Sequence, residues 1–123
     1  MNQRSETTVS SLADACAALA AAAREGRAAT LVGDAASGGA GWFRALVEAA
    51  RRQCPGGAVT AILECHDQPG LVMAGIRAGV GDLRFSGPPE IAARLEALAA
   101  AAGARLHAPS GARLHRPDTD SPA

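Results

Sequence analysis

The chain has 123 residues, 48% of them hydrophobic but only 2% aromatic, and its twelve acidic side chains are matched by twelve basic ones. That length makes one domain rather than two, and balanced, interspersed charge with only Trp42, Phe43 and Phe85 as aromatics excludes the electrostatic footprint and stacking platforms of a nucleic-acid binder. The basic side chains are all arginine, so chemistry that needs a lysine amine (a Schiff-base aldolase, a pyridoxal-phosphate enzyme, a P-loop) is excluded as well.

Much of the apolar fraction is alanine, which buries little area. The core must therefore lean on scattered Leu, Val and Ile, each contributing about 1.5 to 3 kcal/mol when fully buried. Modest stability is expected, and with it a gain from homo-oligomerisation. Cys16, Cys54 and Cys65 are an odd number with no C-x-x-C spacing, so neither a zinc ribbon nor a thioredoxin-like motif is read, and no metal or cofactor is expected. The opening MNQRSETTVS is polar, Asp14 interrupts the apolar stretch that follows, and no run approaches the roughly 20 apolar residues of a membrane span. The expectation is a reduced, cytoplasmic protein with no membrane partner.

In chain order, Thr8, Ser10 or Ser11 caps a first helix to about Arg24, with Val9, Leu12, Cys16, Leu19 and Ala23 on one stripe, and Gly26 ends it. AATLVGD (28–34) has the length and closure of a strand. The loop AASGGAG (35–41) then leads into a second helix to about Gln53, and CPGG (54–57) makes a turn. AVTAILEC (58–65) reads as a strand buried on both faces. Pro69 begins a short helix capped by Asp67 or Gln68 and stopped by Gly79. GDLRFSG (81–87) is a third strand, Pro88 or Pro89 starts a last helix to about Ala102, and ARLHA (104–108) is a fourth, edge strand. Residues 1–8 and 109–123 have the composition of disordered ends, which leaves a domain over 9–108.

Helix and strand thus alternate four times, beginning with a helix. Short strands separated by amphipathic helices imply right-handed crossovers and a parallel sheet, hence an α/β fold. Two strand orders fit: a flavodoxin-like one first, and a simple sequential one, like part of a β/α barrel, second.

In either order ligands gather outside the carboxyl ends of the strands. That edge collects Asp34 and Ser37, then Glu64, Cys65, His66 and Asp67, then Ser86, with His107 further along. GDAASGGAGW (33–42) offers backbone N–H groups, those of Gly38 and Gly39 among them, that could face an anion ahead of a helix, with Arg44 one turn in. The run matches neither G-x-G-x-x-G nor the Walker pattern. Neighbouring strand residues point to opposite faces, so Cys65 cannot work with Glu64 and His66, and a Cys–His nucleophile from these neighbours is not expected. Glu64 on a covered strand must stay protonated or find a partner, which His66 or an arginine would supply. Asp82, Arg84 and Arg77 are read as solvated or paired charges at the start of the third strand, the structural end of the sheet.

Three functions compete. The first is binding of a small anionic or phosphorylated ligand by Asp34, Ser37, Gly38, Gly39, Arg44, Glu64, His66 and Ser86. The second is a non-catalytic interaction or homo-oligomerisation module built on close-packing alanine-rich helices. The third is a small enzyme with Glu64 or His66 as general acid–base.

Overall fold

The computed structural model describes residues 6–55 and 57–109. Within them nine elements follow one another: β1 (Glu6–Thr8), α1 (Leu12–Arg24), β2 (Ala29–Asp34), α2 (Ala35–Gln53), β3 (Val59–Glu64), α3 (Pro69–Ala78), β4 (Asp82–Arg84), α4 (Pro89–Ala101) and β5 (Arg105–His107). The five strands form one sheet, all neighbours parallel, in the order β1-β2-β3-β4-β5. The protein is an α/β fold with an all-parallel sheet, and its strand order is the sequential one rather than the flavodoxin-like one.

The chain begins with a strand, not a helix. Glu6–Thr8, inside the segment expected to be disordered, pairs with Thr30–Val32. Three polar residues carry no hydrophobic signal, and only the neighbouring strand makes them β. The C-terminal tail expected over 109–123 lies, from residue 110 on, outside the described residues.

Local signals set most boundaries. Ser11 caps α1 by accepting the Asp14 N–H at 3.1 Å, while the Asp14 carboxylate accepts the Ser10 N–H at 3.0 Å, a reciprocal cap that satisfies donors the helix leaves open. Gly79 ends α3 in the left-handed region at φ 85°, where glycine meets no Cβ penalty. Gln68, not Asp67, occupies the cap position of α3, without a side-chain bond. The loop expected over 35–41 is instead helical on both sides of Gly39, whose φ of 85° and ψ of 166° interrupt α2. Asp34 begins that helix early by capping it.

Sequential order with right-handed crossovers puts every helix on the same side of the sheet. Consecutive helices accordingly pack on one another, α1 on α2, α2 on α3 and α3 on α4. Beneath them Leu31, Leu63, Leu83, Cys65 and Phe85 make the buried floor, topped by Ala15, Leu19, Phe43, Leu46, Val47, Val72 and Leu95. Close approach depends on missing side chains. A Cβ on Gly33 would lie 2.2 Å from the Phe43 ring, and one on Gly75 would lie 2.3 Å from Leu83.

The other face carries no helix among the described residues, so β3 is not covered by helices on both sides as its apolar sequence suggested. Val32 and Ile62, ladder partners there, are nonetheless buried, at 6% and 3% exposure. Arg84 of β4 bonds to Glu6 of β1 at 2.8 Å. In a flat sheet these residues would start about 14 Å apart sideways, three strand spacings, and about 13 Å apart along the strands. Their contact requires twist and coiling that bend the sheet toward its helix-free side. That side is therefore concave, and Val32 and Ile62 line the hollow.

Replacing Gly33 by alanine should drive Phe43 off the sheet and cost about 1 to 3 kcal/mol. The urea midpoint should fall at unchanged slope; an unaltered midpoint would mean the ring moves aside freely.

Candidate functional site at the carboxyl edge

The last residues of four strands share one register row: Asp34 of β2 beside Glu64 of β3, Glu64 beside Arg84 of β4, and Arg84 beside His107 of β5. The row gathers four titratable side chains where ligands of parallel sheets bind. Asp34 is the N-cap of α2 and accepts the Ala36 N–H at 2.9 Å and the Ser37 hydroxyl at 3.3 Å. Glu64 accepts Arg84 Nε at 2.7 Å, and the same guanidinium reaches Glu6 through Nη1. With 10% of its side chain exposed, Arg84 is the buried cation between two carboxylates. A charge taken that far from water has to be paired.

His66 stands immediately beyond β3 with φ at 56°, the left-handed region that a residue with a Cβ enters at a cost of about 1 to 3 kcal/mol. Three bonds hold it there. Its N–H donates to Glu64 Oε2 at 3.0 Å, its carbonyl accepts the Ser86 N–H at 2.8 Å, and its Nε2 meets Asp34 Oδ1 at 2.9 Å. The imidazole is 46% exposed, so the fold fixes from β2, β3 and the end of β4 a side chain that it does not bury. The hydrogen bond with Asp34 raises the pKa of His66 above 6.5, and the same bond holds Asp34 below 3.8.

Cys65, between Glu64 and His66, points to the helix side. It is fully buried, and desolvation, the main cause, pushes its thiol up to about 12. It belongs to the core.

Of the residues expected at the site, Asp34, Ser37, Glu64, His66 and Ser86 come together at this edge. Gly38 lies against the Trp42 ring, and Gly39 is the break in α2. In the 35–41 segment Asp34 takes the Ala36 N–H, one of the donors expected to face an anion, and adds a negative charge to the turn. Arg44 is turned away altogether. It donates to the carbonyl of Ala78 at 3.3 Å, at the C-terminus of α3, and pairs with Glu48 at 3.2 Å. His107 sits in the register row but bonds to Asp82 at 2.9 Å, where Arg105 also binds. A groove of about 170 Å³ lies at the opposite, amino edge, lined by Arg44, Glu48, Arg51 and Asp82. Three of those four are already ion-paired, so size does not mark the chemistry.

The residue that sequence reading misplaced is Arg84. With β4 only three residues long, it closes the strand at the carboxyl edge instead of opening it. The alternation Asp82–Leu83–Arg84, with Leu83 inward, was the available signal that Arg84 shares a face with Glu64. Glu6 carried no such signal. Among the described residues no group of three or more His, Cys, Asp or Glu could hold a metal ion. Comparisons with protein-family models, with curated proteins and with solved structures find no match.

Arg84→Met should leave two carboxylates without their shared cation and cost about 2 to 4 kcal/mol, partial exposure of the acids trimming the full penalty. Chemical denaturation measures it. Cys65 should resist thiol reagents in the folded protein and react only on unfolding, as peptide mapping after labelling would show.

Proposed function

We propose that the protein binds a small anionic ligand at the carboxyl edge, with the imidazolium of His66 as its anchor and the Ser37 and Ser86 hydroxyls beside it. The observation that carries this reading is the left-handed backbone of His66, an exposed side chain held by bonds from three strand ends. Stability does not call for such strain, whereas a preorganised contact does. Asp34 occupies Nε2, and the outward Nδ1 makes no hydrogen bond to any described residue. Asp34 and Glu64 have their charges met by His66 and Arg84, which lowers their repulsion of an incoming anion. Arg44, spent on the C-terminus of α3 and on Glu48, drops out of the ligand set.

The Asp34–His66 pair also favours a second reading, general acid–base catalysis by His66. A carboxylate on one ring nitrogen orients the imidazole and leaves the other nitrogen to exchange a proton. Glu64, engaged by Arg84 and the His66 amide, then positions rather than transfers.

The pH dependence follows from the raised pKa of His66. Anion binding should be strongest on the acid side of the raised folded pKa of His66 and fall as pH rises through it. Titrating inorganic phosphate, acetate and nucleotides while following the His66 ring resonances should show a ligand shift that is absent in His66→Gln. Asp34→Asn should move the ring's titration midpoint down toward 6.5 and weaken binding at neutral pH. Ring resonances indifferent to every anion would overturn the binding reading, and proton exchange with a substrate that strengthens with pH would favour the second.

A further inference from the structure

The sequence offers no paired cysteine spacing, yet the fold brings two of the three thiols to one place. Cys16 lies on α1, one turn before Leu19 and on the stripe that continues to Ala23. Cys54 caps the C-terminus of α2, its N–H donating to the Ala50 carbonyl at 2.8 Å. A crevice at the amino edge is lined by Leu19, Ala22 and Ala23 of α1 together with Cys54, so Cys54 abuts the stripe that bears Cys16. Both side chains are half-buried against the same core, and both are free thiols. The side-chain contact with Cys54 is also the first cause of the raised pKa of Cys16.

We propose that Cys16 and Cys54 are a redox-responsive pair that closes into a disulfide clamping α1 to the end of α2. The oxidant is a small-molecule disulfide of the glutathione class. One thiolate attacks it, expels one reduced thiol and forms a mixed disulfide. The second cysteine, deprotonated, attacks the protein sulfur and expels the other. Two protein thiols are oxidised, one small disulfide is reduced to two thiols, and two protons pass to the leaving thiolates. Because Cys16 is held above its ordinary range, its thiolate is scarce at neutral pH, and closure should quicken as pH rises. The clamp sits at the end of the sheet opposite His66. Its effect is on the stiffness of the helix layer rather than on the edge chemistry, and it stands whether or not the ligand reading does. Cys65, sealed under the helices, takes no part.

The test is oxidation of the full chain with oxidised glutathione, followed by intact mass and peptide mapping. The expected product has lost two hydrogens, carries a Cys16–Cys54 linkage, and melts on the order of 10 °C higher than the reduced form. Reduction should reverse both changes. Cys16→Ser and Cys54→Ser should each abolish the shift and leave glutathione attached to the remaining thiol. Glutathione on both cysteines of the unaltered chain without an internal link, linkages through Cys65, or unmodified thiols would each overturn the proposal.

Discussion

Glu6, Glu64 and Arg84 must meet on the helix-free face although they start on β1, β3 and β4, and a flat sheet would hold the first and last of them too far apart. Their contact ties the outermost strand to the centre and bends the sheet into a hollow. A guanidinium is suited to the task, since its several donors lie in one plane and serve two carboxylates at once. Nε goes to Glu64 and Nη1 to Glu6. The geometry of the carboxyl edge depends on this bridge, because the carboxylate that Arg84 fixes is the one that also holds the amide of His66.

The edge has two layers of support. Below, the arginine settles the charge of Glu64; above, Glu64 and Asp34 set the backbone and the ring of His66. Each acid serves two or more donors, so neither is left as a bare negative group. What the edge leaves exposed is one imidazole, held by neighbours whose own charges are already met. The amino edge shows the contrast. There Arg44 completes the C-terminus of α3, and Asp82 draws Arg105 and His107 to itself, which are structural uses of charge.

Much of the architecture was legible in the sequence for local reasons. Glycines at 26 and 79 adopt positive φ where the helices were expected to stop, and Pro69 and Pro89 stand in the first turns of theirs. Elements made by long-range partners were not legible. Glu6–Thr8 is polar throughout and becomes a strand only beside β2. The sequential order could not be told from the flavodoxin-like one, because the same alternation of strands and helices writes both. At the site, Asp34, Glu64 and His66 could be placed at one edge by topology alone. The left-handed turn at His66 could not, since few non-glycine residues adopt it and nothing in the local sequence singles this one out. Arg44 misled because a residue one turn into a helix seemed to stay near its start, whereas the break at Gly39 and the neighbouring end of α3 direct it elsewhere.

Sequential strand order has a consequence for how the chain reaches this shape. Every sheet pairing joins a strand to the next one along, so each hairpin-like β/α unit can dock on its predecessor after closing only a modest loop, the situation that speeds folding. The Glu6–Arg84 bond, spanning 78 residues, breaks that rule. It cannot form until β4 has arrived, which makes it a final latch on a sheet assembled progressively.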